Sequence, residues 1–180
     1  MSAVEHATFV IERRLPASPK HAFRFWSEPA FKARWNECHP DWAIEEERFD
    51  FRVGGGEAKR WRTGEGHIQT FDARYYDIVP GVRIIYAYDM TFKGERMSAS
   101  LATIEFAPAG KETRMLFTEQ VAFLGGVKGA REQRIVGTEG GFDRLIEILA
   151  ATGARGMPLV VEISVAFSVL IAFIVIGVAT

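Results

Sequence analysis

Residues 82–123 read VRIIYAYDMTFKGERMSASLATIEFAPAGKETRMLFTEQVAF. Three runs within it, Val82–Phe92, Glu95–Phe106 and Thr113–Phe123, are rich in Ile, Tyr, Thr and Phe and bounded by Lys93-Gly94 and Pro108-Ala109-Gly110, residues that build tight turns. Successive strand residues point to opposite faces, so Tyr86, Tyr88 and Met90 share one face and are expected inward, with Ala87 and Asp89 outward. Ile85 is also apolar, which leaves the inverted register as the alternative. In the third run Met115, Phe117, Val121 and Phe123 share their face with Glu119, a carboxylate in an otherwise apolar row.

Working upstream, Ile44–Phe51, Glu57–Thr63 and His67–Ile78 continue the pattern, broken at Gly54-Gly55-Gly56, Gly64-Glu65-Gly66 and Pro80-Gly81. Six strands joined by short turns predict an antiparallel meander. A first strand, Ala7–Leu15, ends at Pro16. Ser18-Pro19 then reads as a helix start, with Ser18 as cap and proline in the first turn, where its missing N–H costs nothing. Phe23 and Trp26 follow at helical spacing, Glu28-Pro29 interrupts, and Ala30–Trp35 suits a second short helix. Downstream of Gly125-Gly126, Ile135, Phe142, Leu145 and Leu149 fall on one helical stripe that ends near Gly153. The class is therefore α+β. A long helix covers only part of a sheet face, so a cavity is expected between them. Fourteen Phe, four Trp and four Tyr are available to fill the core or line that space.

The 180 residues suffice for one domain, residues 1–153, with a hydrophobic tail at 154–180. Ile163–Thr180 carries no charge over eighteen positions, about 27 Å as a helix, close to a bilayer's hydrocarbon thickness. A transmembrane anchor through 163–180, with Arg155 on the cytoplasmic side, and an appendage foreign to the domain are both open readings. With 22 Lys+Arg against 23 Asp+Glu there is no excess positive charge for nucleic acid. One cysteine and no secretory signal at the start point to the cytoplasm.

Cys38, His39 and Asp41 sit close together, but with no second cluster at metal spacing no metal is expected, and no cofactor motif is present. His6, His21 and His67 show no nucleophile pairing, and P-loop, Rossmann and G-x-S-x-G patterns are missing. Glu45-Glu46-Glu47 reads as a solvated strand edge. Alternation sends Arg60 and Arg62 to an outer row and Lys59 and Trp61 to the other face.

Phe51-Arg52-Val53-Gly54-Gly55, Tyr86-Ala87-Tyr88-Asp89-Met90, Ser98 to Phe106 and Thr118-Glu119-Gln120 together resemble the SRPBCC (START-like) superfamily, in the branch similar to the activator of the heat-shock chaperone ATPase. The early Ala17–Phe23 element, Phe31–Trp35, and Arg131 with Gly137-Thr138 extend the resemblance from about Phe9 to Leu149. It implies a helix-grip fold, a seven-stranded sheet wrapped around the C-terminal helix. The family pattern often has a Trp-Trp pair in the short second helix, where this chain has Trp35-Asn36. Members resemble lipid carriers, polyketide cyclases and chaperone co-factors, so a hydrophobic cavity is shared and the chemistry varies.

The expected cavity residues are Trp35, Trp61, Tyr86, Tyr88, Met90, Phe117, Glu119 and Phe142. The leading expectation is a carrier or sensor of a hydrophobic or aromatic small molecule. The alternatives are a cyclase- or hydrolase-type enzyme using a cavity acid and tyrosines, and a chaperone ATPase co-factor with an unknown protein partner. Arg52 is expected to tie its strand end to a carboxylate, with ligand binding as the alternative. Glu119 is the candidate for polar chemistry. The resemblance makes Arg131 its partner, with Arg52 second, and the choice is between a structural ion pair and an acid with raised pKa at the cavity wall.

Overall fold

Alternation and glycine turns produce a continuous antiparallel sheet in a computed structural model that describes residues 4–36, 39 and 41–153. The chain runs β1 (Glu5–Leu15), α1 (Pro19–Ser27), α2 (Pro29–Lys32), β2 (Ala43–Phe49), β3 (Gly56–Arg62), β4 (Ile68–Val79), β5 (Arg83–Phe92), β6 (Glu95–Ala109), β7 (Glu112–Phe123) and α3 (Ala130–Gly153). The seven strands are ordered β1-β7-β6-β5-β4-β3-β2. Strands β1 and β2, neighbours in sequence, lie at opposite edges, and α1 with α2 carries the chain between them. This is the α+β helix-grip arrangement, with α3 on the concave face.

Ser18 caps α1 by accepting from the His21 backbone N–H, and Pro19 occupies the first turn. Two elements end two or more residues before the sequence suggests. Helix α2 ends at Lys32 rather than Trp35, because the chain tightens there into i→i−3 bonds, Arg34 N–H to Phe31 O and Trp35 N–H to Lys32 O. Strand β2 stops at Phe49 rather than Phe51, because Asp50 N–H bonds to Gly56 O and Arg52 N–H to Asp50 O, closing a loop before Phe51 can pair.

The glycines of that loop have a steric reason. Gly54 adopts φ +81°, in the left-handed region. A Cβ on Gly55 would lie 2.4 Å from the Asp50 carbonyl oxygen, and one on Gly56 would lie 2.3 Å from that of Ala73 on β4. Gly56→Ala therefore forces β3 away from β4 and is expected to cost about 1–3 kcal/mol, as overpacking does, read as a lowered urea midpoint.

Inward-facing residues on β1, β6 and β7, including Phe9, Ile11, Ile104, Phe106, Met115 and Phe117, join Phe23, Phe25 and Trp26 of α1 and Phe142, Leu145 and Leu149 of α3 in one core. On α3 the buried stripe is Arg134, Phe142, Leu145 and Leu149. Ile135, expected on that stripe, lies one position off it and is only partly buried. Cys38 and the hydrophobic tail, with the anchor expected there, lie outside the described residues. Among the described residues no helix is long and apolar enough to cross a membrane.

Candidate functional site

Strand alternation places Tyr86, Tyr88 and Met90 on the inner face of β5, in register with Ala102, Ser100 and Ser98 of β6. These small β6 residues leave a depression under α3. Helix α3 crosses it with Arg134, Gly137, Thr138, Gly141 and Phe142, spaced 3, 1, 3 and 1, so one helical face looks into the gap. Two of the five are glycines, and space remains. The result is a cavity of about 160 Å³ between sheet and helix. Trp26, Trp35, Trp42 and Trp61 all border it, and they are the chain's four tryptophans. Trp35 is fixed by donating from Nε1 to Phe25 O at 2.7 Å, and Trp26 packs edge-on against it at 4.6 Å. Helix α1 and the turn after α2 thus supply the tryptophan pair that the second helix alone lacks.

One polar cluster lies where α3 meets β5, β6 and β7. Arg134 donates from Nη1 to Glu119 Oε1 at 2.7 Å and to Tyr88 Oη at 2.6 Å, and from Nη2 to Ser98 Oγ at 2.7 Å. Tyr88 and Ser100 also donate to Glu119 Oε1, at 2.6 and 2.8 Å. Glu119 is 0 % exposed and its Oε2 has no hydrogen-bond partner among the described residues. Burial pushes the Tyr88 hydroxyl well above its ordinary pKa; Arg134 opposes this and Glu119 adds to it, so the phenol stays a donor. Tyr86 is raised as well, chiefly by burial and then by Tyr88.

A second cluster occupies the β3 side. Glu57, 2 % exposed, accepts from Lys32 Nζ and from Tyr75 Oη at 2.9 Å through Oε2, and from Asn36 Nδ2 at 3.5 Å through Oε1. Burial holds the Lys32 pKa below its usual value against the pull of Glu57, and pushes the Tyr75 hydroxyl up. Lys59, 5 % exposed, pairs with Glu47 at 2.9 Å and reaches Asn36 O at 3.4 Å. Glu57, Lys59 and Trp61 are alternate residues on β3, so the alternation that turns Trp61 inward also turns the two charges inward. That signal was present in the sequence, but their partners Lys32 and Glu47 are brought in by the fold.

Of the expected cavity residues, Trp35, Trp61, Tyr86, Tyr88, Met90, Phe117 and Phe142 line the space. Glu119 does not; it sits behind Tyr88 and Arg134. Its partner is Arg134, which corrects both expected ones. Arg131, one helical turn earlier, faces outward and pairs with Glu132 at 3.3 Å. Arg52 binds Asp50 at 2.9 Å within the β2–β3 loop, a carboxylate at its own strand end. Arg60 and Arg62 form the outer row, both paired to Glu45. His39 and Asp41 lie 3.4 Å apart, and no group of three or more metal-binding side chains occurs among the described residues.

A family model described as Activator of Hsp90 ATPase homolog 1-like protein matches residues 16–154. Solved structures of similar chains include an uncharacterized protein from Rhizobium leguminosarum, 44% identical, covering 83% of this chain and 97% of its own, with a TM-score of 0.77. A protein from Rhizobium loti is 42% identical over 81% of this chain and 98% of its own, with a TM-score of 0.74. An AHSA1-like protein from Aeromonas hydrophila, 20% identical with a TM-score of 0.63 over 84% of this chain and 98% of its own, shares the fold. No curated protein matches.

Proposed function

The chain belongs to the activator of Hsp90 ATPase homolog 1-like family, and from that premise we propose that it is a cytoplasmic carrier or sensor holding one small aromatic molecule between sheet and helix. Folds of this family commonly bind hydrophobic ligands. The observation that carries the reading is the convergence of all four tryptophans, with Phe71, Phe117 and Phe142, on one cavity of about 160 Å³. An apolar cavity of about 150 Å³ takes up benzene, so the space suits a single ring. Holding is favoured over reacting because the cavity carboxylate, Glu57, is engaged by Lys32, Tyr75 and Asn36. A general acid or base needs a group free to exchange its proton with a substrate.

Gly141 provides the test. A Cβ there would meet Trp35 at 4.0 Å, an ordinary contact, so a larger side chain can enter the cavity without moving backbone. In Gly141→Leu the melting temperature is expected to hold or rise, since mid-helix glycine costs about 1 kcal/mol. Uptake of benzyl alcohol, followed by tryptophan emission, is expected to weaken at least about tenfold, the effect of losing about 1.4 kcal/mol. Undiminished uptake by a stably folded variant would move the ligand elsewhere.

A further inference from the structure

The polar groups on the cavity wall are unevenly distributed. Lys32, Lys59 and Arg134 line the space, whereas of their three carboxylate partners only Glu57 does. In the Lys59–Glu47 and Arg134–Glu119 pairs the cation faces the cavity and the anion stands behind it. The rings of Trp26 and Trp61 also border the cavity, and both indole N–H groups are buried without an acceptor among the described residues. A buried donor left unpaired is costly, so a wall with surplus donors fits a ligand that brings acceptors.

The three cations differ in freedom. Arg134 is committed to fully buried Glu119, and Lys32 to Glu57 at 2 % exposure; neither carboxylate can turn to water. Glu47 is different, with its side chain 44% exposed. Lys59 can therefore share its ammonium, or surrender Glu47 to solvent, when another anion arrives. Trp61 is two residues along the same face of β3, its N–H without an acceptor among the described residues. We infer that the ligand is a monocyclic aromatic carboxylate, its ring among Phe71, Phe117 and Phe142 and its carboxylate on Lys59 and the Trp61 indole N–H. The inference rests on the cavity being a ligand site and adds the chemical class of the occupant.

Calorimetric titration of the full chain with benzoate, benzamide and benzylamine tests it, because the three share a ring and differ in charge. The expected order is benzoate tightest by about tenfold or more, then benzamide, with benzylamine weakest. Lys59→Gln should bring benzoate down to the level of benzamide, and Lys59→Arg should keep the preference. Benzoate binding no tighter than benzamide to the unmodified protein would overturn the inference while leaving the aromatic cavity standing. A preference that survives in folded Lys59→Gln would overturn it too, by removing the anchor. If none of the three binds, the carrier reading itself fails.

Discussion

Arg134→Met is expected to lower the unfolding free energy by about 3–5 kcal/mol, seen as a fall in the urea midpoint at unchanged slope. The loss comes from Glu119 rather than from the arginine's own contacts. Glu119 is 0 % exposed, with Oε1 held by Arg134, Tyr88 and Ser100 and Oε2 without a partner among the described residues. Without the guanidinium a carboxylate remains in the core with two hydroxyls for company. Removing both charges together behaves differently. Arg134→Met with Glu119→Leu leaves no buried ion to compensate and should recover much of the loss, a coupling that two independent sites would not show. If Arg134→Met stays within about 0.5 kcal/mol of the parent, the range of ordinary surface changes, the pair does not hold α3 to the sheet as described.

Glu57→Gln is expected to cost a similar amount near neutral pH, about 3–5 kcal/mol, because it strands the Lys32 ammonium between Trp26 and Phe49. Here the deficit should shrink as the solution becomes alkaline. Burial already holds the Lys32 pKa below its ordinary 10.5, and Glu57 is what pulls it back up. Between the lowered folded value and 10.5 the unfolded chain binds more protons than the folded one, so stability rises with pH across that window. Removing Glu57 widens the window on its lower side, and the variant gains more than the parent as pH rises through it. Urea midpoints at about pH 7 and about pH 9.5 should therefore converge for Glu57→Gln and its parent. Glu119→Gln should show no such recovery from its cation, because a guanidinium does not shed its proton in this range. A Glu57→Gln deficit independent of pH would mean that Lys32 is not the stranded charge.

These two clusters also mark where sequence reading reaches its limit. The meander was legible because each strand alternates and each turn carries glycine or proline, both local properties. Five of the aromatic and apolar cavity residues, Trp61, Tyr86, Tyr88, Met90 and Phe117, were legible for the same reason, since alternation fixes their faces once the sheet is assumed, and Phe142 was legible from the helical stripe of α3. The ion pairs were not. Glu57 meets Lys32 twenty-five residues away on a four-residue helix, and only the crossing of α1 and α2 from one sheet edge to the other brings them together. Arg134 was missed because the apolar stripe of α3 was traced through Ile135, which hid a cation on the buried face one position earlier. The small inner residues Ser98 and Ser100 of β6 are what make room for it. The family pattern led to Arg131, on the same helix but a turn too early.

Whether the space under α3 holds a single aromatic ring is visible in crystals soaked in 4-bromobenzyl alcohol. One bromine anomalous peak is expected inside the cavity, among Trp61, Phe117 and Phe142, and no such peak in Gly141→Leu crystals. Bromine found only on the outer surface, or an empty cavity at saturating ligand, would contradict it.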